Sequence, residues 1–173
     1  MTGSPTRRIL STAVSLVFLF LAPGTVAGLV PFWISRWRLR AYPCAAIGRP
    51  AGILLLAAGL AVLLESFWRF AAKGLGTPMP LMPTRHLVVS GLYRNVRNPM
   101  YLAVTSLVAG QALLFGDVRL LAYAAFVWAA FHAFVLLYEE PTLTAAYPHE
   151  YPLFRRNVPR WIPRPTAGAR RDT

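Results

Sequence analysis

The stretch YLAVTSLVAGQALLFGDVRLLAYAAFVWAAFHAFVLLY, residues 101–138, decides the fold. It is apolar from Tyr101 to Phe115 and again from Arg119 to Tyr138, with Gly116-Asp117 as the only punctuation. Two helices joined by so short a turn must be antiparallel neighbours, so the stretch reads as a helical hairpin. Each arm approaches the roughly 20 residues that a helix needs to cross a bilayer. Upstream, a further apolar run extends from about Ala51 to Phe70, and another from Ile9 to about Ile34. The expected fold is therefore all-α: an integral membrane helical bundle of about four transmembrane helices, closing on the C-terminal hairpin.

Composition agrees. Hydrophobic residues make up 56% of the 173 and charged residues only 14%, too apolar for an ordinary soluble domain of this size. The formal charge of +12 would suggest nucleic acid in a soluble protein. Here most arginines flank the apolar runs, where they anchor a chain to anionic headgroups and orient it. No basic face with interleaved aromatics stands free of those runs, so nucleic acid is not expected as a partner. Cys44 is the single cysteine, which excludes an intrachain disulfide and a cysteine metal cluster.

The first run, after Arg7-Arg8, supports three readings: a cleaved signal peptide ending near Ala27, a membrane helix kinked at Pro23-Gly24, or a re-entrant hairpin turning there. Apolar character continuing through Leu29, Val30, Phe32 and Trp33 favours the membrane helix. A basic connector follows, Arg36 to Arg49, with Trp33, Trp37 and Tyr42 beside its arginines, as at a membrane interface. In a four-span arrangement it faces the side opposite the other basic segments, a conflict with the positive-inside rule that the hairpin reading removes. The breaker-rich segment Lys73 to Pro83 is expected to be a loop or a broken interfacial piece. A single domain is expected over residues 1–165, with 166–173 a disordered basic tail.

Two polar islands abut the last hairpin. One leads into it, Arg85-His-Leu-Val-Val-Ser-Gly-Leu-Tyr-Arg-Asn-Val-Arg-Asn-Pro-Met-Tyr101; the other leaves it, Tyr138-Glu-Glu-Pro-Thr-Leu-Thr-Ala-Ala-Tyr-Pro-His-Glu-Tyr151, and runs on through Phe154 to Pro163. Because a hairpin returns the chain to the face it started from, the islands should meet and share a pocket at the membrane surface.

Gly91-Leu-Tyr-Arg-Asn-Val-Arg-Asn-Pro-Met-Tyr101, a hairpin, then Glu139-Glu140 with Leu143, Tyr151 and Val158-Pro159 resembles the signature of the isoprenylcysteine carboxyl methyltransferase and phospholipid methyltransferase superfamily. The likeness covers 85–163. It implies S-adenosyl-L-methionine as methyl donor, held at the cytosolic face, and a lipid-like or lipidated acceptor, either carboxylate or amine. Carried over by position, the cofactor contacts are Arg85, His86, Leu87, Val88, Tyr93, Asn98, Pro99, Met100, Tyr101 and Glu139. Such a donor asks for a carboxylate at its hydroxyls and amino group, for arginine or helix-start N–H groups at its own carboxylate, and for aromatic or apolar faces at its adenine. Glu139, Arg94 or Arg97, the helix beginning near Pro99, and Tyr93 or Tyr101 supply these types. Where the family has His before the Pro, this chain has Asn98, and where the isoprenylcysteine enzymes carry an Arg one turn before the Glu, it has Val135. A non-catalytic membrane scaffold or lipid-binding protein that keeps the same fold is the competing expectation.

Single residues also have plainer readings. Glu139-Glu140 could mark a helix end, although acids there oppose the macrodipole. His132 lies inside the last apolar run, where an ionisable side chain is a functional candidate by default; the plain alternative is a neutral His bonded to Gln111 or a backbone carbonyl. His132, Glu140 and Arg155 are the weaker candidates for acceptor contacts. Arg155, Arg156 and Arg160 read chiefly as headgroup anchors. The histidines lack metal-ligand spacing, and no metal is expected.

Overall fold

The computed structural model describes residues 21–73 and 91–164. Among these, helix is the only regular structure: α1 (Leu21–Ser35), α2 (Ala45–Lys73), α3 (Pro99–Phe115), α4 (Val118–Ala146) and α5 (Glu150–Asn157), with a 3-10 turn at Gly91–Arg94 ahead of α3. α2 and α4 are long and apolar enough to cross a membrane, while α1 and α3 are apolar but shorter. Large side chains face outward on both long helices: Ile53, Leu54 and Trp68 on α2, Phe126, Trp128 and Leu137 on α4. Water would leave that surface uncovered, and lipid does not.

α3 is the middle of the bundle. It packs along α2 on one side and against α4 on another, and α1 lies on α3 and α4 together. Leu63 and Phe67 of α2, Ala103 and Val104 of α3, and Val127 of α4 form the core, with Val26, Tyr123 and Phe131 closing over it. Small residues set the α2–α3 spacing. A Cβ on Gly52 would sit 2.7 Å from the Gly110 carbonyl oxygen and one on Gly110 would sit 2.9 Å from that of Gly52. Close approach of backbones is how helices gain dispersion contact where there is no hydrophobic drive between them.

The hairpin is as expected, with its turn fixed by two residues. Gly116 caps α3 at φ 68, a left-handed conformation suited to glycine. Asp117, 2% exposed, accepts from the backbone N–H of Arg119 to cap α4 and ion-pairs with the side chains of Arg119 and Arg40. Hydrogen bonds from Arg119 hold its carboxyl below the ordinary carboxylate range, outweighing burial. The basic connector folds under this turn: the Arg40 N–H donates to the Phe115 carbonyl at 2.9 Å and the Tyr42 hydroxyl to that of Leu113 at 2.6 Å. Its arginines thus lie at the end of the bundle opposite the polar islands.

Two sequence expectations change. The chain does not turn at Pro23-Gly24, since α1 is helical from Leu21 through Ser35, which removes the hairpin reading. The second arm does not stop at Tyr138; α4 continues through Glu139, Glu140 and Pro141 to Ala146, so the acidic pair lies within a helix and not at its end. Proline is accommodated in both helices by a π turn just ahead of it, Thr25–Leu29 before Pro31 and Val135–Glu139 before Pro141. In α1 the carbonyls that Pro31 cannot bond are recaptured by side chains. Gln111 Nε2 donates to the Ala27 oxygen at 2.6 Å and the Tyr123 hydroxyl to that of Val26 at 3.1 Å. The Lys73 to Pro83 loop beyond its first residue, the segment 9–20 and the tail from 166 onward lie outside the described residues.

Candidate active site

The two islands do meet, at the end of the bundle where α2 and α4 finish and α3 begins. Pro99 opens α3 at its first position, where a missing N–H costs nothing. Asn98 precedes it, 6% exposed, but its side chain does not cap the helix. Its Nδ2 donates instead to the Arg160 carbonyl at 3.2 Å. That bond belongs to a set that straps residues 158–164 across the leading island: the Arg97 N–H donates to the Pro159 oxygen at 2.9 Å and the Arg164 N–H to the Asn95 oxygen at 3.0 Å. Asn98 therefore acts here as a neutral hydrogen-bond donor to the strap, a task that needs no charge.

Glu140 is the hub under the strap. Its carboxylate, 5% exposed, accepts from Arg160 Nε at 2.6 Å, Arg160 Nη2 at 2.9 Å and Arg97 Nη1 at 2.9 Å, and Arg155 Nη1 stands 3.9 Å away. Arg97 Nη1 also donates to the Tyr151 hydroxyl at 3.3 Å. One carboxylate thus ties together the start of α3, α4, α5 and the strap through charge-assisted bonds. Arg97, only 9% exposed in its side chain, keeps its Nε buried with no hydrogen-bond partner. Of the two arginines offered by the sequence for an anionic group, Arg97 is the buried one and Arg94 is exposed.

Glu139 is left for other work. Its Oε2 accepts from the Tyr101 hydroxyl at 2.9 Å, its only hydrogen bond among the described residues. Tyr101 is held against Phe131 and Phe134, with ring centroids 4.7 and 6.5 Å apart. Tyr93 stands in the 3-10 turn after Gly91, with Ser66 as hydrogen-bond partner and with Glu139 and Glu65 as charged neighbours. Burial, and then those two carboxylates, push its phenol far above the ordinary range, so it stays a neutral donor. Gly91 adopts φ 60 and lies against the Arg69 guanidinium, which ion-pairs with Glu65 one turn back on α2. Glu65 keeps its Oε2 buried with no hydrogen-bond partner.

Of the sequence candidates, Tyr93, Asn98, Pro99, Tyr101, Glu139 and Glu140 come together at this end. Met100 packs toward the bundle core. Arg85, His86, Leu87 and Val88 lie outside the described residues. Arg155 sits on α5, half-exposed, beside Glu140. His132 bonds neither Gln111 nor a backbone carbonyl: its Nδ1 accepts from Trp161 Nε1 at 2.9 Å, and its ring stacks on Trp128. Arg160, read as a headgroup anchor, is instead a half-buried partner of Glu140. From sequence alone Trp161 has no role, Tyr151 stands only within the family signature, and Glu65 reads only as an i,i+4 interfacial pair with Arg69. A tryptophan shortly after a basic amphipathic turn and an acid inside an apolar helix were the signals available.

Among the described residues no group of three or more His, Cys, Asp or Glu side chains could hold a metal ion. Comparison with known proteins adds one positive finding: a family model described as phospholipid methyltransferase matches residues 48–150. No curated protein and no solved structure matches the chain. The matched region takes in α2, α3, the whole of α4 and Glu139-Glu140, and stops before Arg155 and the strap.

Proposed function

We propose, from the premise that this chain belongs to the phospholipid methyltransferase family, that it binds S-adenosyl-L-methionine beneath the strap and methylates the amine of a membrane lipid. The observation that carries the reading is the division of labour between adjacent acids. Glu140 is consumed by arginines, whereas Glu139 keeps acceptor capacity beside Tyr101, Tyr93 and the orphaned Nε of buried Arg97. A buried guanidinium N–H without a partner is costly and suits a carboxylate ligand. Glu139 suits hydroxyl or amino donors. This donor set fits an amino-acid-bearing nucleoside.

When bound, the cofactor supplies an electrophilic methyl on a sulfonium, so the protein's task is alignment and the exclusion of water. Arg97 and the helix start at Pro99 hold an anionic end, Glu139 holds hydrogen-bond donors, and Tyr93 and Tyr101 give aromatic walls with neutral hydroxyls. An amine acceptor arrives protonated and has to lose that proton before it attacks. Glu65 and Glu139, on either side of Tyr93, are the carboxylates that attract such a cation and can take its proton. Val135, buried on α4 where a carboxylate acceptor would call for Arg, supports the amine over the carboxylate.

The same reading has all four apolar helices crossing the bilayer as a single domain over residues 1–165. The site then faces the cytosol, with Arg69, Arg94, Arg97, Arg155, Arg156, Arg160 and Arg164 at that end, against Arg36, Arg38, Arg40, Arg49 and Arg119 at the other, a set that still runs counter to the positive-inside rule once the hairpin reading of the first run is gone. The test is equilibrium binding of S-adenosyl-L-methionine and its demethylated product to detergent-purified protein. Saturable binding that is lost in Glu139→Ala and Tyr93→Ala is expected. No binding at millimolar cofactor would overturn the enzyme and leave the scaffold reading.

A further inference from the structure

Beyond the strap, α5 carries a second polar feature. A cavity of about 300 Å³ opens between the last turn of α4 and one face of α5, lined by Thr144, Tyr151, Pro152, Arg155 and Arg156. Arg155 and Arg156 are adjacent on α5 and both contribute to the lining of this cavity. Their charges are met by protein only in part. Glu140 already serves Arg97 and Arg160 at hydrogen-bond distance and reaches Arg155 only at 3.9 Å. Arg156 makes no ion pair among the described residues. The Thr144 hydroxyl is engaged with the Glu140 carbonyl at 2.7 Å and forms wall. The Tyr151 hydroxyl accepts from Arg97 and so still has its own proton to donate; burial and the nearby Glu140 keep it protonated.

We infer that this cavity is a phosphate-binding site, in which Arg155 and Arg156 grip a phosphate group from two sides and the Tyr151 hydroxyl donates to it. The volume admits a tetrahedral oxyanion, and two guanidinia with a phenol offer more converging donors than one carboxylate could use. The site lies where α4 has just left its apolar course. Leu153, 59% exposed and one turn before Arg156, gives an apolar flank for acyl chain next to the charge. A basic pocket at a membrane helix end is also where an anionic headgroup is attracted by charge. The inference goes beyond methyl transfer: it requires a phosphate to bind whether or not a methyl group moves, and Arg156 is far enough from Glu139 to be changed alone.

The experiment titrates detergent-purified full-length protein with dioleoyl phosphatidic acid in neutral-detergent micelles, without cofactor, reading tryptophan fluorescence. Dioleoylglycerol, which lacks the phosphate, and inorganic phosphate are titrated in parallel. Phosphatidic acid should bind saturably and dioleoylglycerol at least about a hundredfold more weakly, the factor expected when both charge-assisted contacts are lost. Arg156→Gln and Arg155→Gln should each weaken phosphatidic acid about tenfold, and Arg156→Lys should recover most of that loss. Competition by inorganic phosphate at similar concentration would identify soluble phosphate as the source; its absence would identify the lipid. Binding of dioleoylglycerol as tight as that of phosphatidic acid, or unchanged affinity in Arg156→Gln with an unaltered circular dichroism spectrum, overturns the site. Because no cofactor is present, that failure is separate from failure of the methyltransferase reading.

Discussion

Replacing Glu140 by Gln changes one atom and removes one charge, and the structure says what should follow. The wild-type carboxylate accepts three hydrogen bonds from Arg97 and Arg160. Gln can keep the two bonds made to Oε1, but it loses the charge and the Oε2 bond, and its NH₂ then faces the Arg160 Nη2 donor. Arg160, 26% exposed in its side chain, can turn partly to water, but Arg97 at 9% cannot. With hydrogen bonds to charged groups worth about 1.5–3 kcal/mol each, and one buried cation left uncompensated, the loss should be about 3–5 kcal/mol. The neighbouring change Glu139→Gln keeps an oxygen that can accept from Tyr101 and removes only the charge, and should cost about 1 kcal/mol or less. Unfolding of purified protein in mixed micelles on titration with a denaturing detergent measures both. Trypsin adds a local readout, since release of the strap exposes the bond after Arg160. If Glu140→Gln unfolds within about 1 kcal/mol of wild type and is cut no faster, Glu140 is not the hub described here.

Other changes test separate parts of the fold. Gly52→Val places new atoms against the Gly110 carbonyl and the Leu114 nitrogen, backbone atoms that cannot swing aside; about 1–3 kcal/mol of stability should be lost in the same micelle assay. Asp117 titrates lower in the folded chain than in the unfolded one. Its contribution is therefore complete above the unfolded value and is lost as pH falls through the lowered folded value. Unfolding measured down that acid limb should steepen for wild type and flatten for Asp117→Asn. Trp161→Phe removes the donor to His132 and should cost about 1 kcal/mol while speeding tryptic cleavage at the strap; unchanged cleavage would separate Trp161 from strap closure. Because Tyr93 stays protonated through the neutral range, cofactor binding should show no inflection from it between mildly acid and mildly alkaline pH, and Tyr93→Phe should leave the profile's shape unaltered while lowering affinity.

The hairpin, the membrane-spanning character and the meeting of the two islands were legible because they depend on patterns local in sequence. Apolar run length, a Gly-Asp break and the return of an antiparallel helix suffice for all three. The extent of α4 was not legible, because Pro141 after Glu-Glu looks like a stop and becomes helix only through the π turn at Val135–Glu139. The roles inside the acidic pair were not legible either. Which of two adjacent acids faces arginines and which faces Tyr101 depends on the angle at which that widened turn delivers them. His132 shows the same limit: its partner Trp161 comes from a segment whose path is set by Asn98 and Arg97, far away in sequence. The chain's membership in a methyltransferase family was visible in the spacing of Gly91, Tyr93, Pro99, Tyr101 and Glu139.

The proline in α1 bears on how the protein is made. The α1 carbonyls at Val26 and Ala27 accept from side chains lying 97 and 84 residues further along. A ribosome delivers α1 long before Gln111 and Tyr123 exist, and on the four-span reading proposed above it would enter lipid carrying two open acceptors. The first helix is thus chemically unfinished until the last ones arrive. Integration of this chain should proceed as a late joint settlement of α1 with the hairpin, and truncation before Gln111 should leave α1 lodged in the translocon or extractable by alkali, where the full chain resists.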